Sequence, residues 1–289
     1  MKAGKKNILI IGPGKVGTSL FRALQENGTY HIYLAGKHSL SSPLSTHIKA
    51  EDYIDLSGET THLQADLLIL AVPDNRITEA AQNALKFSHS ETIAVHTSGA
   101  FDSSRLEEFK KQDLPVAAWH PLQTFTQSFL PKQHWQGITT TFEGSSKALP
   151  AIKKLCVHLG CEVLPLSKEQ KAALHLAAVI TANFIPALFS AGSALLQKQG
   201  ITWEQAQKLL IPLMRQSLNN IAGNPPGSAL SGPLQRGDLE TLQKHLAFLK
   251  ENEPPQLAEL YRLMSLLLAE EDKFDVKNRE RTREWLSNA

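Results

Sequence analysis

With 289 residues, an apolar share of 42% and a formal net charge of +2, the chain is long enough for two packed domains and too evenly charged to carry a footprint for nucleic acid. Two cysteines, Cys156 and Cys161, are too few for a disulfide framework or a zinc cluster. Reduced thiols, a cytoplasmic setting and no resident metal are expected.

The opening MKAGKKNILIIGPG places lysines ahead of an apolar run, as a secretory leader does. The run from Ile8 to Ile11 is shorter than the roughly 7–15 residues a leader needs, so it reads as a buried strand over 7–11. A helix follows with Val16, Leu20, Ala23 and Leu24 on one face, stopped at Asn27 and Gly28. Residues 31–35 read as a second strand. Residues 37–65, rich in Ser, Thr and His, read as loops with one short strand near Tyr53 and Ile54. Strands are then expected over 66–72, 92–96 and 115–119, with helices over 77–87 and 103–110. This alternation predicts a parallel sheet with right-handed crossovers.

Residues 134–166 read as one further strand–helix–strand passage. From Lys168 the pattern is wholly helical, with helices to about 199, over 202–221, after Asp238, and over 255–270. The break near Ser167 divides the chain into 1–166 and 167–289. Residues 172–196 lack Asp, Glu, Lys and Arg and are long enough to cross a bilayer. Their alanines, His175, Asn183 and Pro186 favour instead a soluble core helix covered at a homodimer interface, with no membrane partner.

IGPGKVGTS spaces Gly12, Gly14 and Gly17 as G-x-G-x-x-G after a strand and at the start of a helix. Gly12 allows the tight turn, Gly14 a close approach to a pyrophosphate, and Gly17 close packing of helix on strand. With Pro13, Lys15 and Val16 these residues form the expected cofactor turn of a Rossmann doubly wound sheet. An NAD-binding chain usually has Asp or Glu at the end of the second strand. Here that segment is AGKHS, where Lys37 and His38 can meet a 2′-phosphate or stand as ordinary loop residues. NADP is expected, with NAD the lesser alternative.

Ligands on such sheets lie beyond the carboxyl ends of strands. Val72 and Pro73 there suit a cofactor ribose or nicotinamide, with Asp74 as a helix cap. Ser98 suits the nicotinamide amide, the substrate, or a turn. His120 can titrate near neutral pH, or be satisfied by a backbone carbonyl. Lys171 and His175, one turn apart, share a helix face with Asn183 close to it. Arg236 could clamp a substrate carboxylate, or stand on the surface.

LLILAVPDNRI, HTSGA, AWHPLQTF, LHLAAVITANF and SGPLQRGD occur in this order. They resemble a bacterial family of Rossmann-like proteins with a C-terminal helical domain of unknown function. That family is similar to ketopantoate reductase, pyrroline-5-carboxylate reductase, prephenate dehydrogenase and the β-hydroxyacid dehydrogenases. The resemblance implies a 6-phosphogluconate-dehydrogenase-like architecture: a Rossmann sheet followed by an all-α domain. Taken with the glycine turn and with Lys37 and His38, an NADP-dependent oxidoreductase acting on a small carboxylate-bearing carbonyl, imine or hydroxy compound is expected. In the β-hydroxyacid dehydrogenases a catalytic lysine is followed four residues later by asparagine. Here Lys171 is followed by His175, which leaves the proton donor open between them. It also keeps alive a rival function, a non-catalytic NADP-binding sensor or scaffold.

Overall fold

The computed structural model describes residues 5–26, 28–58, 62–272 and 274–289. The expected helix stop at Asn27 and part of the expected loop over 37–65 fall outside them. The chain divides into two units, Met1–Ala182 and Asn183–Ala289.

In the first unit the short apolar runs become strands. In chain order the elements are β1 (Asn7–Ile11), α1 (Lys15–Gln25), β2 (His31–Gly36), β3 (Tyr53–Asp55), β4 (Leu67–Leu70), α2 (Ile77–Ala84), β5 (Ile93–His96), α3 (Glu107–Lys110), β6 (Val116–Pro121), β7 (Thr139–Gly144), α4 (Leu149–Leu159), β8 (Glu162–Pro165) and α5 (Lys168–Ala178). The strands form one sheet in the order β3-β2-β1-β4-β5-β6-β7-β8. Alternate residues of β1 face opposite cores. Ile8 and Ile10 pack with Leu20, Phe21 and Leu24 of α1. Leu9 and Ile11 pack with Ile77 and Ala81 of α2. Burial on both faces is why these strands read as unbroken apolar runs. The strand order reverses at β1, so the β1–α1 turn sits at the switch point where such sheets bind ligands.

The expected strand–helix–strand passage over 134–166 is present as β7–α4–β8, with β7 and β8 parallel. However, β7 runs antiparallel to β6. The connection between them contains only one short 3₁₀ turn, Lys132–His134, so the chain folds back where a parallel pairing needs a crossover. The connection is held on α1: Phe129 N–H donates to Thr18 Oγ1 at 3.3 Å, Leu130 N–H to Ser19 Oγ at 3.0 Å, and Arg22 to the Phe129 carbonyl at 2.6 Å. Trp119 and Trp135 stack at 6.1 Å beneath it. Cys156 and Cys161 are both free and buried.

The second unit is helical, with α6 (Ile185–Lys198), α7 (Trp203–Gly223), α8 (Pro226–Ala229), α9 (Leu239–Asn252), α10 (Pro255–Glu270) and α11 (Arg279–Asn288). Thr202 and Gln205 cap α7 reciprocally. Asp238 caps α9 by accepting from Thr241 N–H. Of these helices, α11 goes unannounced in the sequence: its segment RERTREWLSN buries only Thr282 and Leu286. Arg279 ties it to the end of α10 through the carbonyls of Ala269 and Glu271, both at 2.9 Å.

The helical pattern begins at Lys168 as expected, but the first unit extends to Ala182. The physical reason is Lys171, buried at 3% exposure, which ties α5 to the sheet through the Ser98 carbonyl. Between α5 and α6 lies a π-helical turn, Val179–Asn183. Pro186, in the first turn of α6, has no N–H for the carbonyl four residues back, and a wide turn absorbs the gap. Lys168–Lys198 is long and apolar enough to cross a membrane by length and composition. It is not a core helix of the single chain, for Leu176, Ile180, Phe184 and Leu188 are all exposed.

Candidate active site

The glycine turn divides its labour as the spacing suggests. Gly12 has φ +114°, and a Cβ there would run into the Ala71 carbonyl. A Cβ on Gly17 would strike the Gly12 carbonyl oxygen. Gly14 differs: nothing lies within 4 Å of where its Cβ would be. It is the N-cap of α1, no side chain caps that helix, and the first turn carries no acidic residue. An uncapped N-terminus facing open space is the arrangement that receives a pyrophosphate.

Beside this turn opens a cavity of about 340 Å³. It brings Gly12, Pro13 and Gly14 together with Lys37 and His38 after β2 and with Val72 and Pro73 after β4. Lys15 and Val16 begin α1 without lining it. Two residues that sequence reasoning missed do line it, Arg76 and Glu79. Lys37 Nζ lies 2.6 Å from Glu79 Oε1, and an Arg76 guanidinium nitrogen lies 2.8 Å from Glu79 Oε2.

A second cluster surrounds the loop after β5. His96 clamps it from within: its Nε2 lies 2.9 Å from the Asp102 carbonyl, and its Nδ1 accepts from Ser98 N–H at 3.2 Å. Ser98 Oγ accepts from the N–H groups of Ala100 and Phe101, so its turn role is realised. Asp102 caps the following 3₁₀ turn, and the buried Glu143 carboxylate accepts from both Ser103 N–H and Ser103 Oγ. From α5, Lys171 Nζ donates to the Ser98 carbonyl at 2.7 Å. From β6, His120 Nδ1 lies 3.0 Å from the Thr97 carbonyl. The rings of His120 and His175 meet edge to face at 6.3 Å. A Cβ on Gly99 would lie 2.7 Å from His175 Nδ1 and 2.8 Å from His120 Nε2. Two ring nitrogens therefore converge on Gly99, which must lack a side chain.

A carbonyl can only accept, so His120 Nδ1 carries the hydrogen and the neutral ring presents Nε2 as a bare acceptor. Burial lowers the pKa of His120 to about 4, against a smaller raising effect of the Thr97 carbonyl. Burial likewise lowers His96 to about 4. Lys171 is lowered to about 8, again by burial, with Glu143, Asp74 and Asp102 opposing the shift. His120 is thus an acceptor at neutral pH, and Lys171 is the group that holds a proton to give.

The two depressed imidazoles fix a pH dependence. Above 6.5 both rings are neutral whether the chain is folded or not, and their contribution to stability is complete. As pH falls from 6.5 toward about 4 the unfolded chain takes up protons that the folded rings refuse. Stability should fall through that window by on the order of 3 kcal/mol per ring. Urea unfolding from about pH 7 to about pH 4.5 measures the slope, and His96→Asn should flatten it; equal slopes would contradict a neutral buried ring.

The structure thus brings together His120, Lys171, His175 and the Ser98 backbone. Asp74 does not cap α2: a 3₁₀ turn, Asp74–Arg76, intervenes, so Arg76 occupies the cap position of α2, and no side chain bonds there. Its charge acts instead on His96, His120 and Lys171. Asn183 and Arg236 belong to the second unit and are both exposed. Sequence reasoning missed His96, Gly99, Arg76 and Glu79. The HTSGA segment held the only signal, a histidine and a glycine flanking a strand end.

The glycine turn, the sheet order and the open cavity define a Rossmann dinucleotide-binding fold. Residues 1–121 match the model of a Rossmann-like domain, and residues 138–267 match that of a Domain of unknown function (DUF2520). A Rossmann-like domain followed by that C-terminal domain is the arrangement the motifs resemble. It is similar to a glycerol-3-phosphate dehydrogenase, NAD(P)+, from Bacillus velezensis, 27% identical over 124 residues, 38% of this chain. The match spans only 36% of that curated relative's length. Among solved structures it is similar to a candidate NADP oxidoreductase from Bacteroides fragilis. That match has 26% identity and a TM-score of 0.71, covering 90% of this chain and 96% of the other. It shares its fold with a variant imine reductase from Myxococcus stipitatus solved with NAD+. There the identity is 16% and the TM-score 0.60, covering 96% of this chain and 99% of the other.

Proposed function

We propose that the protein is an NADP-dependent oxidoreductase acting on a small carboxylate-bearing carbonyl, imine or hydroxy compound. The observation that carries this reading is a buried lysine held at a strand end of the same sheet that opens an uncapped glycine turn onto a cavity. When bound, NADPH supplies the hydride. Lys171, with its pKa near 8, donates a proton to the reacting oxygen or nitrogen. His120 Nε2 accepts a hydrogen bond from the substrate, and His175 faces the same point. Beside Lys171 a further cavity of about 440 Å³ is lined by Arg105, Lys168 and Asp102, a polar setting for a small charged substrate. Arg236 is a second candidate for the substrate carboxylate, and Asn183 for its polar groups.

Lys37, His38 and Arg76, with no carboxylate at the end of β2, support NADP over NAD. Titration by nicotinamide fluorescence should give tighter binding of NADPH than of NADH. Equal affinities, or a preference for NADH, would sink the NADP reading. A second reading is favoured by His175, which stands where the resembled enzymes have asparagine: a sensor that binds the dinucleotide without turnover.

The exposed apolar helix over 168–198 supports a cytoplasmic homodimer that covers it, since an apolar face left in water is unstable. Sedimentation equilibrium should give a dimer without detergent. A monomer at micromolar concentration, or a protein soluble only in detergent, would overturn this.

A further inference from the structure

We propose that Glu79 governs the choice between phosphorylated and unphosphorylated dinucleotide by holding Lys37 and Arg76 in the place of the cofactor's 2′-phosphate. This rests on the NADP reading and goes beyond it, since it assigns a residue that weakens the preference.

The geometry is that of an internal anion. Lys37 follows β2, Arg76 is the residue before α2, and Glu79 lies in the first turn of α2. All three line the same cavity as Gly12 and Gly14. The two carboxylate oxygens are divided between the two cations, one at 2.6 Å from Lys37 and the other at 2.8 Å from Arg76. Two cations converging on one small anion with separate acceptor oxygens is also what a phosphate monoester asks for. The pairs are weak enough to exchange. Their side chains are 61%, 59% and 42% exposed for Lys37, Arg76 and Glu79, and exposed pairs are worth about 1 kcal/mol or less.

A 2′-phosphate, with nearly two negative charges, can displace the carboxylate from both partners. Glu79 cannot leave, being anchored on α2, and its charge stays close to the phosphate. The cations hold its carboxyl below the ordinary range, so it does not escape by protonation at neutral pH. NADH meets no such opposition, because its ribose 2′-hydroxyl carries no charge for the carboxylate to repel. Glu79 therefore penalises NADPH selectively, while keeping Lys37 and Arg76 aimed at the site when it is empty of phosphate.

The test is the pair of dissociation constants, NADPH and NADH, for the wild type and for Glu79→Gln. The exposed side chain makes misfolding easy to exclude by circular dichroism. Glu79→Gln should tighten NADPH by about three- to tenfold and change NADH less than about twofold. The gain should shrink at about 0.5 M salt, where exposed charges are screened. In a Lys37→Ala/Arg76→Ala background the same substitution should tighten NADPH less, because the partners it releases are gone and only the repulsion of the phosphate is relieved. An unchanged NADPH-to-NADH ratio overturns the inference while leaving NADP binding intact. Weaker NADH binding in Glu79→Gln also overturns it, since Glu79 would then be holding the ribose hydroxyls. If the wild type binds neither nucleotide, the cofactor reading falls and this inference with it.

Discussion

Gly14→Val is expected to raise the dissociation constant for NADPH by at least about 100-fold, equivalent to about 2.7 kcal/mol, while the protein stays folded. The structure separates the two effects. At Gly12 and Gly17 an added Cβ meets backbone of the protein itself, the Ala71 and Gly12 carbonyls. Substitution there is expected to damage the fold and binding together. At Gly14 there is nothing within 4 Å for the new side chain to strike, and the residue is exposed. Only a ligand drawn onto the α1 N-terminus would meet the isopropyl group. Circular dichroism and thermal unfolding should match the wild type, and fluorescence titration should show the loss. Undiminished binding by a folded Gly14→Val protein would place the dinucleotide elsewhere.

Lys171→Met should lower turnover by about 10²–10⁴-fold, the range for loss of a positioned proton donor, with little change in NADPH affinity. The ammonium is buried, bonded to the Ser98 carbonyl at 2.7 Å, and lowered to about 8 by burial. Its protonated fraction falls as pH rises through 8, so the wild-type reductive rate should fall tenfold per unit well above that value. That limb should vanish in Lys171→Met. The substitution also leaves the Ser98 carbonyl without its donor, a loss of about 1–3 kcal/mol, so rates must be expressed per folded molecule. A melting temperature that drops while turnover per folded molecule and its pH profile persist would make Lys171 structural only.

The parts of the molecule legible in the sequence are those set by local chemistry. The G-x-G-x-x-G turn and the runs that became β1, β4 and β5 each depend on a few consecutive residues. The direction of β7 was not legible. It depends on the 122–138 connection lying across α1 through Thr18, Ser19 and Arg22, contacts more than a hundred residues apart in sequence. Helix α11 escaped because its apolar face is only the adjacent pair Trp285 and Leu286, which shows no helical period. In the site, His120, Lys171 and His175 stood out as titratable residues on strand-end and helix positions. Gly99 did not, since the need for a missing side chain appears only when two histidines from β6 and α5 arrive beside it. Arg76 and Glu79 looked like an ordinary helix start. Their meaning comes from Lys37, forty residues away, folding onto the same cavity.

The most direct test of an NADP-dependent oxidoreductase is oxidation of NADPH, followed by nicotinamide absorbance, against a panel of 2-keto acids and cyclic imines. The expected result is turnover of at least one member, faster with NADPH than with NADH, and lost in Lys171→Met. Tight NADPH binding with no oxidation against any member would contradict the catalytic reading and leave the sensor in its place.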